Sequence, residues 1–111
     1  MLVVDTGIFV AVADRDEPHH PASVEALRGR SDLVVPAPVI PETAWLIETR
    51  LGPDAEALFL TAVTGSKFQI VDPIPVDYER AIKLIARYAD LGLGFVDASI
   101  IAIARRQDTP L

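Results

Sequence analysis

Asp5, Glu42 and Asp97 are the residues of this chain best placed to do chemistry. Asp5 ends the apolar run Leu2-Val3-Val4, and Glu42 and Asp97 each stand at the opening of an apolar-periodic segment. Carboxylates crowded together repel one another, and a divalent cation relieves the repulsion. Ligation by oxygen alone suits Mg²⁺ or Mn²⁺. The plainer alternative is capping, because an acid at a helix N-terminus satisfies free N–H groups and complements the dipole. Composition and spacing leave both readings open. Other polar residues carry less. Thr6 either caps its own helix or hydrogen-bonds a water in an acidic pocket. His19-His20 reads as an exposed loop away from the three acids, and Asp90 as turn chemistry. Arg105 and Arg106 suit the C-terminal dipole of the last helix, with contact to a ligand's phosphate as the alternative.

Positioning these acids requires alternating strands and helices. Leu2 to Val4 is a short apolar run of the kind found in a strand buried on both faces of a parallel sheet. The pattern predicts a helix over Ile8 to Ala13, with Asp5 or Thr6 as N-cap, and a second opened by Pro21 and stopped by Gly29. Leu33 to Val35 is the next strand. Pro36, Pro38 and Pro41 confine the following helix start to Pro38–Pro41, which sets Glu42 in its first turns. Trp45 and Leu46 follow Glu42 at i+3 and i+4 and are expected to turn it inward. Gly52-Pro53 ends that helix, and Ala55, Leu58, Phe59 and Ala62 space the next. Phe68 to Val71 is the third strand. Tyr78, Ile82, Ile85 and Ala89 are expected on the inner face of a long helix from Val76, and Phe95 to Arg106 forms the last. In such folds ligands gather at the carboxyl ends of the strands, where Asp5 sits. The class is α/β, with helices on both sides of a parallel sheet.

Composition narrows the function. The 111 residues suit one domain, and 50% hydrophobic content is that of a globular protein. A formal net charge of −6 argues against a domain that holds DNA chiefly by neutralising phosphates. The absence of cysteine excludes disulfides and thiolate metal sites. No apolar stretch approaches the ~18 residues of a membrane span, and the N-terminus lacks the basic region of a signal peptide, so a cytoplasmic location is expected. Asp5-Thr6-Gly7 spells the aspartic-protease triplet, but those enzymes are nearly all strand. A phosphatase of the aspartyl-phosphate type would want an acid where Gly7 stands.

The order and spacing of several short motifs are more specific. Val3-Val4-Asp5-Thr6, Pro18-His19-His20, Pro41-Glu42, Tyr88-Ala89-Asp90 and Gly94-Phe95-Val96-Asp97-Ala98 together resemble the PIN-domain family, in particular the VapC-type ribonuclease toxins of toxin–antitoxin pairs. The resemblance implies an α/β/α sandwich with a short central parallel sheet and a Mg²⁺-dependent endoribonuclease, with Mn²⁺ as a substitute, cutting tRNA or ribosomal RNA. Asp5, Glu42 and Asp97 would match three of the family's four acids, with Asp5 and Asp97 as direct metal ligands and Glu42 as proton acceptor. A homodimer and a cognate antitoxin are the implied partners. The fourth acid follows a strand after the last helix, whereas this chain ends at Leu111 and Asp108 comes too early. The expectation is a site whose final strand and fourth acid are missing, with a binding-only domain as the alternative.

Overall fold

A computed structural model describes residues 1–107. In chain order the elements are β1 (Leu2–Val3), α1 (Thr6–Ala13), α2 (His20–Leu27), β2 (Leu33–Pro36), α3 (Val39–Leu51), α4 (Pro53–Val63), β3 (Phe68–Val71), α5 (Pro75–Arg87), a single 3₁₀ turn (Ala89–Leu91) and α6 (Phe95–Arg106). The strands form a parallel sheet in the order β1-β2-β3. Leu2 pairs with Leu33, and Leu33 in turn with Phe68. Asp108 and residues 109–111 lie outside the described residues.

β2 is the central strand and is buried throughout. Its side chains alternate between two apolar layers, as the period of two requires. Leu33 and Val35 join Val4, Phe9, Val39, Ile47, Phe59 and Val63 on the face covered by α1 to α4. Val34 points the other way, to Val3, Val71 and Ile103 of α6. This two-sided burial explains why the strands read as unbroken apolar runs, and it gives the expected helix–sheet–helix layering. Among the described residues no helix is long and apolar enough to cross a membrane.

The structure departs from the sequence pattern in several places. α1 starts two residues early, because Asp5 rather than Thr6 is its N-cap and accepts from the Ile8 N–H at 3.0 Å. α2 begins at His20, whose ring Nδ1 lies 2.7 Å from the Ala11 carbonyl and ties α2 to α1. The expected inner face of α5 is turned round. Tyr78 and Ile82 are exposed, Ile82 to 67%, and Asp77 and Ala81 are the buried residues. Asp77 explains the rotation, since its carboxylate accepts from the Ile74 N–H at 2.8 Å and from Arg106 Nε at 2.9 and 3.1 Å. That ion pair fixes which side of α5 meets α6. Arg106 also donates to the Asp72 carbonyl at 3.1 Å, so it is a structural residue and not a free cation at the helix end.

At the start of β2, Asp32 receives Arg30 at 2.7 Å and the N-terminal ammonium at 3.2 Å. The Arg30 guanidinium holds the Asp32 carboxyl well below the usual carboxylate range. This bracket aligns β1 against β2 just before Asp5.

Candidate active site

Each candidate acid stands beside a residue anchored in the same core layer. Asp5 follows Val4, Glu42 precedes Ala44 by two positions, and Asp97 follows Val96, and all three apolar residues pack in the layer on the α1–α4 face. The acids themselves sit at its margin, Asp5 and Asp97 exposed and Glu42 partly buried. Buried neighbours therefore hold the backbone at each acid while the carboxylates stay accessible.

The capping alternative separates the three. Asp5 does cap α1, through one carboxylate oxygen. Glu42 and Asp97 lie in the first turns of α3 and α6, yet neither makes a side-chain hydrogen bond or ion pair among the described residues. Two acids are therefore free of the structural work that would otherwise account for them. The hydroxyls of Thr6 and Thr43, the residues that follow Asp5 and Glu42 in the chain, are buried and have no hydrogen-bond partner among the described residues. A stranded buried hydroxyl costs roughly 1–3 kcal/mol. Both costs fall next to candidate acids.

Beside Asp5 opens a cavity of about 380 Å³ that Asp5, Thr6, Glu17, His19, Ser23, Leu46 and Arg50 help to line. Glu42, Leu46 and Arg50 follow one another at i, i+4 and i+8, so they form one stripe of α3. Leu46 is the expected inward residue after Glu42, but Trp45 is not: it is 62% exposed and faces out. His19 and Glu17 border the cavity, which corrects the expectation that the histidine pair lies away from the acids. Sequence spacing misses this because the loop from Asp14 folds back along α1, and the His20–Ala11 bond that returns it is not legible in the pattern. Asp90 sits in the 3₁₀ turn, as expected for turn chemistry. Among the described residues no group of three or more acidic or histidine side chains is gathered closely enough to enclose a metal ion. Of the three candidate acids Asp5 lines this cavity, and Glu42 and Asp97 do not.

A family model for the PIN domain matches residues 2–111. The chain belongs to the PIN-domain family. Within this family it is 30% identical over 109 residues to Ribonuclease VapC26 of Mycobacterium tuberculosis (strain ATCC 25618 / H37Rv), an alignment that covers 97% of this chain and 81% of the relative. Its fold matches the crystal structure of Mycobacterium tuberculosis VapC20, a toxin that cleaves the sarcin–ricin loop, with a TM-score of 0.88 over 98% of this chain and 85% of that one. Identity to VapC20 is 19%, so that likeness speaks to the PIN fold alone. The family resemblance read from the motifs and the α/β/α fold are both borne out.

Proposed function

We propose that the protein is a PIN-domain endoribonuclease of the VapC toxin type, cutting structured RNA such as tRNA or ribosomal RNA in the cytoplasm and held in check by a cognate antitoxin. The observation that carries the site is the pair of uncommitted carboxylates. Glu42 and Asp97 occupy helix N-termini without capping them, and the hydroxyls of Thr6 and Thr43 next to the acids are buried and unpaired. Family membership and the VapC26 relationship supply the reaction class.

The donors present fit a hard divalent cation. They are all oxygen, and Mg²⁺ keeps several waters and needs only one or two carboxylates, so an open margin is sufficient. Asp5 and Asp97 would hold it. A bound Mg²⁺ would supply charge neutralisation at the scissile phosphate and a more acidic water. Glu42 would accept the proton of the water that attacks phosphorus, the ester P–O bond breaking and its oxygen taking a proton from solvent. Asp5 is held in place by its own bond to the Ile8 N–H.

The antitoxin and a homodimer complete the reading. Their support is the relationship to Ribonuclease VapC26, since one exposed indole at Trp45 does not by itself mark an interface.

The test is cleavage of total cellular RNA by the purified chain, in Mg²⁺ or Mn²⁺ against EDTA. Discrete fragments that require the metal are expected. Asp5→Asn and Asp97→Asn should each lower the rate at least a hundredfold with an unchanged circular dichroism spectrum. Cleavage by either variant at the wild-type rate would remove that acid from the site.

A further inference from the structure

Ten basic residues are spread over a chain of net charge −6, yet four of them converge on one groove. Arg80, Lys83 and Arg87 of α5 and Arg105 of α6 line a cavity of about 230 Å³ together with Leu84 and Tyr88. None of the four makes an ion pair or hydrogen bond among the described residues. Arg28, Arg30 and Arg106 have carboxylate partners, and Arg15, Arg50 and Lys67 are unpaired among the described residues but lie elsewhere, so the mark of the groove is the gathering of four cations in one place. Helix dipoles account for part of this pattern, because Arg87 and Arg105 stand in last turns. They do not account for Arg80 and Lys83, which with Arg87 form an i, i+3, i+7 stripe along α5. Like charges so placed repel, and the chain has acids to spare that could have been interleaved. The groove also carries an aromatic platform, with the Arg87 guanidinium 5.4 Å from the centre of the Tyr88 ring.

We propose that this groove binds the phosphate backbone of an RNA strand, as an anchoring site separate from the acidic margin. The proposal rests on the ribonuclease reading for the identity of the polyanion. Guanidinium forks suit phosphate oxygens, and a guanidinium stacked with a tyrosine offers a face on which a base can lie. An acidic protein segment would use the charges but not the aromatic face, so RNA is the occupant favoured. The groove answers a physical need as well. An acidic protein repels its substrate over distance, and a local block of unpaired cations reverses the field where the strand must land.

The probe is a short fluorescein-labelled oligouridylate, its binding followed by anisotropy in EDTA over a range of salt. For single strands log K falls with log salt by about 0.7 per phosphate neutralised. The triple variant Arg80→Ala, Lys83→Ala, Arg87→Ala is expected to weaken binding roughly tenfold or more and to reduce that slope by about two. Oligoadenylate should behave alike, since phosphates carry no sequence. Arg80→Lys with Arg87→Lys, which keeps the charge, should retain the slope. Should the triple variant melt early, Lys83→Glu alone, at an exposed position, should reduce the slope by about 0.7. Wild-type affinity and slope in the triple variant, or in Lys83→Glu, would overturn the proposal. So would loss of polyglutamate binding with RNA binding intact, which would assign the groove to an acidic protein partner. Cleavage measured alongside in Mg²⁺ keeps the two readings apart. A wild-type chain that binds through the groove and never cuts would refute the nuclease reading and leave the anchor standing.

Discussion

Arg106 donates to both oxygens of Asp77 and reaches on to the Asp72 carbonyl, so truncating either partner strands a charge. The two truncations should differ. Asp77 is 1% exposed and Arg106 25%, so the carboxylate has no route back to water while the guanidinium does. Arg106→Met is expected to destabilise the fold by about 3–5 kcal/mol, the cost of an unpaired buried charge. Asp77→Ala should cost less, although it also removes the cap on the Ile74 N–H. Urea midpoints at neutral pH check the order, and a smaller loss for Arg106→Met would show that Asp77 draws its stability from elsewhere. At this scale the sequence was legible where a residue acts on its near neighbours. Asp5 as an N-cap followed from a carboxylate at the end of an apolar run. Asp77 and Arg106 are 29 positions apart, and no local pattern marks them as partners. The same holds for His19, whose approach to the Asp5 cavity depends on a loop path and not on spacing.

Among the elements, Gly52 closes α3 and opens α4 with φ 91° and ψ 179°. That region is open essentially to glycine alone, and it allows one helix to end and the next to start without a linker. A Cβ there would meet no atom within 4 Å, so any penalty is conformational and not steric. Gly52→Ala is expected to cost about 1–3 kcal/mol, read as a lower melting temperature. If it melts with the wild type, the junction has relaxed to an ordinary turn. The Gly52-Pro53 break was visible in the sequence because punctuation by these residues is local. The strands were visible too, since burial on both faces leaves the continuous runs Leu33–Val35 and Phe68–Val71. Helix faces were harder. Trp45 and Ile82 fall on apolar stripes but point to solvent, and on α5 the buried ion pair, not the apolar spacing, decides which side turns inward.

For the molecule as a whole, charge is distributed against its own average. Asp5 borders the cavity beside the α1–α4 layer, while four unpaired cations collect between α5 and α6. A net charge of −6 conceals this separation, and only the packing of α5 on α6 brings Arg105 to the stripe on α5. The fold class could be read from the alternation of elements, and the three acids named from their place in it await the Asp5→Asn and Asp97→Asn variants. The basic groove could not.

The exposure of Trp45 has a spectroscopic consequence. It is the one tryptophan of the chain and sits on the outer face of α3, 62% exposed. Its emission in the folded protein should already resemble that of indole in water and should be readily quenched by acrylamide. Unfolding should then move the emission maximum only slightly, which makes this fluorophore a poor reporter of stability. It becomes a good reporter of company. A blue shift on concentration, or on adding a protein partner, would mean that the outer face of α3 has been covered, with no label attached to either molecule.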